Sequence, residues 1–85
     1  MDVKDLRYFV AAFEAGNFSR ASEALGTVQS NVSARIRNLE RSLDVPLFER
    51  HYRGIMPTEK GMKLYRHAKG VLESVELTKR LIKRK

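Results

Sequence analysis

Asn17-Phe18-Ser19-Arg20-Ala21-Ser22-Glu23-Ala24-Leu25-Gly26-Thr27-Val28-Gln29-Ser30-Asn31-Val32-Ser33-Ala34-Arg35-Ile36-Arg37-Asn38-Leu39 sets a short helical pattern, a glycine and a longer helical pattern end to end. In the short one, Ser19 to Leu25, Ser19 is placed to cap and Ala21, Ala24 and Leu25 to face inward, with Gly26 just beyond. The longer one opens near Thr27 and carries Val32, Ile36, Leu39 and Leu43 at spacings of 4, 3 and 4, a single apolar stripe. At about 100° per residue, Ser30, Ser33, Ala34, Arg37 and Arg41 fall on an arc turned away from that stripe. Helix, tight glycine turn and longer helix is the layout of a helix-turn-helix, whose second helix enters the DNA major groove. Gln29 suits adenine and arginine suits guanine, each bidentate pair giving about 1–3 kcal/mol of discrimination. The competing reading of this segment is a three-helix bundle with a merely solvated polar face.

Outward from that segment, Leu6, Phe9, Val10 and Phe13 predict a first helix, with Asp2 to cap it and Gly16 to end it. Pro46 stops the third helix. The runs Leu47–Arg50 and Ile55–Pro57 then flank the polar loop His51-Tyr52-Arg53-Gly54, a small β-hairpin. Arg53 beside Gly54 at its tip has the shape to enter a minor groove. Alone it would read as a solvated charge; beside a helix-turn-helix the two signals support each other.

From Thr58, a good N-cap, to Lys85 nothing breaks a helix strongly, giving a rod of roughly 40 Å. Leu64, Ala68, Val71, Val75, Thr78 and Ile82 are spaced 4, 3, 4, 3 and 4, the repeat of a coiled-coil seam whose partner is a second copy. The predicted fold is all-α with a small β-hairpin wing: a winged helix-turn-helix over residues 1–58, followed by a linker (dimerisation) helix over 59–85.

A chain of 85 residues supports one small core and no deep cleft. Its formal charge of +7 calls for a polyanionic partner. The absence of cysteine removes disulfides, thiolate chemistry and Cys-ligated zinc. The start Met1-Asp2-Val3-Lys4-Asp5 is unlike a signal peptide and no apolar run is long enough to span a membrane, so a soluble, cytoplasmic protein is expected. His51 and His67 are isolated, and no serine has a neighbouring histidine and acid. No Gly-rich phosphate loop occurs either. Neither metal, cofactor nor enzymatic activity is expected. A basic helix lying on anionic lipid is the rival from another class, but Ala68, Val75 and Thr78 suit close helix packing better than lipid. Single-strand RNA readers need an exposed aromatic platform that the sequence lacks.

The stretches Leu6-Arg7-Tyr8-Phe9, Asn17 to Leu25 and Val28 to Glu40 resemble the N-terminal domain of LysR-type transcriptional regulators. So do Leu43-Asp44-Val45-Pro46-Leu47-Phe48-Glu49-Arg50, Arg53-Gly54 and Thr58-Glu59-Lys60-Gly61, in the same order along the whole chain. The resemblance implies DNA contact by Gln29, Ser30 and Ser33 in the major groove and by Arg53 in the minor groove. Many members carry proline at the positions of Ser30 and Asn31, and often arginine at Ala34, so that last base contact does not transfer. Arg37, on the outward arc, and Arg35, toward phosphate, are the nearest substitutes. The resemblance also implies a double-stranded, inverted-repeat operator and a homodimer through the linker helix, extending to a tetramer in the full-length protein. A C-terminal effector-binding domain would follow in a longer regulator and is absent from this sequence.

Overall fold

Three of the four helices begin where a side chain takes up their free N–H groups, and the exception is the third. The computed structural model describes residues 1–83. It contains α1 (Val3–Ala15), α2 (Phe18–Leu25), α3 (Gln29–Leu43), β1 (Phe48–His51), β2 (Gly54–Pro57) and α4 (Glu59–Ile82), in the expected order of helices and hairpin. Asp2 and Asp5 form a reciprocal capping box at the start of α1. Asn17, not Ser19, caps α2: its backbone is extended and its Oδ1 accepts from the Arg20 N–H at 2.7 Å. Ser19 therefore lies inside the first turn. Ala24 also departs from expectation and is exposed, because the buried stripe of α2 is Phe18, Ala21 and Ser22, with Leu25 partly buried beside it. Ala24 sits about 100° from Leu25. At the start of α3, two residues later than Thr27, Val28 stands at the N-cap with no side-chain bond.

The side chains of Phe9, Val32, Ile36, Leu39 and Leu47 are almost completely buried where α1, α3 and the hairpin meet. Phe48 packs between Phe9 and Phe18, with ring centroids 5.3 and 6.2 Å away. The strands pair antiparallel, with Arg50 opposite Ile55 and His51 opposite Gly54, leaving Tyr52-Arg53 as a two-residue turn. Two contacts aim this hairpin. The Glu40 carboxylate accepts from the N–H groups of Leu47 (2.7 Å) and Phe48 (3.1 Å). The Gly16 carbonyl accepts from Ile55 N–H at 3.1 Å.

Helix α4 has 24 residues, roughly 36 Å at 1.5 Å each. Thr58 caps it, accepting from Gly61 N–H at 3.0 Å while its hydroxyl donates to the Pro46 carbonyl at 2.7 Å. Its first half lies on α1, where Tyr65 stacks on Phe13 with centroids 3.9 Å apart. Two residues expected at the dimer seam are used there instead: Ala68 is 1% exposed in the chain's own core and Leu64 packs against that core. An apolar repeat shows that a face is covered, not by what. Val71, Thr78 and Ile82 remain exposed and Val75 half-buried. Leu77 and Leu81, which the heptad reading passed over, are exposed beside them. The predicted span to residue 85 ends outside the described residues. No helix among the described residues is long and apolar enough to cross a membrane.

Candidate nucleic-acid interface

The first turn of α3, which starts without a side-chain cap, lies beside the hairpin. The two elements enclose an open groove of about 370 Å³, floored by the start of α2 at Asn17, Phe18 and Ser19. Gln29, Ser33 and Arg37 line the α3 side, and Arg50 to Ile55 line the hairpin side. Four of the six residues expected to meet DNA thus come together: Gln29, Ser33, Arg37 and Arg53. Ser30 is exposed in the same first turn but does not line the groove.

Arg35, expected near phosphate, stands apart from these four. It lies two residues from Arg37, about 200° around the helix, and its guanidinium is drawn back to α1. There Nη1 is 2.8 Å from the Asp5 carboxylate, and the group lies 5.0 Å over the Tyr8 ring. Burial alone would push the Asp5 carboxyl up. The Asp2 N–H, the Arg35 guanidinium and the N-terminal ammonium outweigh it and hold the group below its ordinary value. Arg35 is therefore committed to the fold.

The lining carries three guanidinium groups, those of Arg37, Arg50 and Arg53, and no carboxylate. Among the described residues neither Arg37 nor Arg53 has an acidic partner. A wall of one sign favours a polyanion. Arg53 stacks over the ring of Tyr52, 5.3 Å from its centroid, and Tyr52 is 92% exposed at the hairpin tip. The sequence reading missed Arg50. Its guanidinium rests 5.3 Å from the Phe18 ring centroid and 3.6 Å from the Glu40 carboxylate, bridging this groove to a second one with Arg37, Arg41 and Asp44. The available signal was a basic residue ending a strand beside the predicted tip. Among the described residues no group of three or more His, Asp or Glu side chains is placed to hold a metal.

The profile of the bacterial regulatory helix-turn-helix proteins of the lysR family matches residues 3–62. The HTH-type transcriptional regulator CzcR of Bacillus cereus is 40% identical over 81 residues, which is 95% of this chain and 28% of CzcR. The chain therefore spans under a third of the length of the curated relatives it matches. Among solved structures, a CbnR_DBD-DNA complex superposes with a TM-score of 0.89 at 35% identity, over 92% of this chain and 90% of that one. A BenM_DBD/benA site 1 DNA complex does so with a TM-score of 0.87 at 36% identity, over 95% and 96%. Both are winged helix-turn-helix domains with a C-terminal helix, the architecture described above.

Proposed function

The chain belongs to the lysR family of bacterial helix-turn-helix regulators, and from that membership we propose that it is the sequence-specific double-stranded DNA-binding end of a longer transcriptional regulator acting in the cytoplasm. The observation that carries this reading is the acid-free groove between the first turns of α3 and the hairpin. Helix α3 lies in the major groove, where Gln29, Ser30 and Ser33 are short enough or suitably bidentate to meet base edges. Arg37 and Arg50 neutralise phosphates along the rim. Arg53, held on Tyr52, enters the adjacent minor groove. The protein acts by binding and not by catalysis. Two copies joined through α4 would place their recognition helices about 34 Å apart, or a multiple of it, on an inverted repeat.

Titration of a pool-selected duplex and of a scrambled one tests the assignment. Gln29→Ala should weaken the selected site by about 1–3 kcal/mol and spare the scrambled one. Arg53→Ala should cost most where the flanks are A·T-rich. If both variants weaken every duplex by one factor, these residues position the domain and read nothing.

A further inference from the structure

The first turn of α3 is the part of the molecule that meets bases in the proposed function, yet its N-cap, Val28, contributes no side-chain bond. It is held from behind instead. The Asn31 amide donates from Nδ2 to the Thr27 hydroxyl at 2.9 Å and to the Tyr8 hydroxyl at 3.2 Å. Tyr8 is itself fixed: it is 7% exposed, with the Arg35 guanidinium 5.0 Å from its ring centroid. Arg35 is bound in turn to Asp5, which belongs to the capping box of α1. One polar chain runs from the start of α1 to the first turn of α3.

An exposed asparagine on a recognition helix could read adenine, but that pairing needs one donor and one acceptor on the same amide. Both Nδ2 hydrogens of Asn31 are already engaged, leaving only Oδ1. We infer that Asn31 and Tyr8 are positioning residues: together they set the angle at which Gln29, Ser30 and Ser33 meet base edges, and so tune sequence preference without touching a base. The inference rests on α3 being the groove-entering helix. It has a clear physical lever, because hydrogen bonds weaken steeply as they bend, so a small tilt of the first turn is felt in every base contact.

The test begins with a duplex selected from a random pool by the 85-residue chain. Its affinity, and that of a scrambled duplex, is then measured for the parent, Tyr8→Phe, Asn31→Ala and the double variant. Phenylalanine keeps the ring beneath Arg35 and alanine suits a helix interior, so each variant folds. Each single variant should lose roughly three- to tenfold on the selected duplex and almost nothing on the scrambled one. The double variant should lose no more than the worse single one, since both remove the same contact. Reselection with either variant should relax preference at the bases under α3 while the A·T preference of the flanks persists. Equal losses on the two duplexes, additive losses, or an unchanged reselected sequence would overturn the inference. A parent chain with no sequence preference would instead overturn the reading of α3, and the inference with it.

Discussion

At Gly61 a side chain has nowhere to go. A Cβ there would run into the carbonyl oxygen of Leu47, a backbone atom held by the turn into the hairpin. Gly70, nine residues further along the same helix, has nothing within 4 Å of the equivalent position. Two identical substitutions should therefore act with opposite sign. Gly61→Ala forces the start of α4 away from the core and should cost about 1–3 kcal/mol. Gly70→Ala removes an exposed helical glycine and should gain about 0.5–1 kcal/mol. Urea unfolding of the two variants beside the parent decides the matter, and a loss of similar size at both would mean that α4 is not docked through Gly61. Arg35 and Arg37 give a second contrast at this scale. Both are arginines on one helix, but Asp5 takes the first into the fold and leaves the second at the groove.

Among the elements, α4 is held most conditionally. Beneath it lies the Phe13–Tyr65 stack, and along the rim Glu14 accepts from the Tyr65 hydroxyl at 2.6 Å and from Lys69 Nζ at 3.2 Å. Further out Arg7 pairs with Glu76 at 3.0 Å. The Tyr65 hydrogen bond, helped by Lys69 and opposed by burial, holds the Glu14 carboxyl below its ordinary value. The same carboxylate raises Tyr65 and Lys69 above theirs. A depressed carboxyl stabilises the fold above its unfolded value, and that stabilisation is lost as pH falls through the folded one. For Tyr65 and Lys69 the raised folded values mean a contribution complete at neutral pH and lost as pH climbs through them. The docking of α4 should thus hold between the ordinary glutamate range, about pH 4.3, and the ordinary tyrosine range, about pH 10, and weaken outside it. Glu14→Gln should remove part of the acid dependence while costing under about 1 kcal/mol at neutral pH, since Glu14 is 48% exposed. Urea unfolding of parent and variant across and below that pH range measures it; identical acid limbs would show that Glu14 does not hold the helix.

For the molecule as a whole, extents of 47 × 25 × 19 Å reflect a helix that outruns its domain. Beyond Ala68 its open face carries Val71 and Thr78, which with His67, Gly70 and Val75 line a shallow groove of about 620 Å³, while Ile82, Leu77 and Leu81 are exposed outside it. The proposed homodimer would cover this face, Ala68 being already buried in the chain's own core and Leu64 partly so. Substitutions on the two sides of the helix should separate folding from assembly. Ala68→Leu overfills the core and should destabilise each copy by about 1–3 kcal/mol. Val71→Asp should leave each copy folded and split the dimer, because an unpaired carboxylate would have to be desolvated. The separated copies should bind a half-site about 10²–10⁴-fold more weakly than the dimer binds the full repeat. Sedimentation at tens of micromolar gives the answer, and a Val71→Asp chain that still sediments as a dimer would exclude this face.

The sequence alone determined the helices, the hairpin, their order and the excess of cations, because periodicity, caps and charge are properties of neighbouring residues. The Arg53 tip and the outward arc that holds Ser33 and Arg37 were legible for the same reason. Even locally some choices were close: Asn17 and Ser19 both make good caps, and the extended backbone at Asn17 settled which did. Only the tertiary structure decided the rest. Nothing near Arg35 in sequence shows that Asp5, thirty residues earlier, claims it. Arg50 gained a place at the groove only when β1 was pinned to Glu40 and β2 to Gly16. A repeat of apolar residues along α4 shows that water is excluded from a face, but the energy of burial is the same whether the cover is the chain's own α1 or a second copy. That choice depends on where α1 lies in space, and Leu64 and Ala68 went to α1.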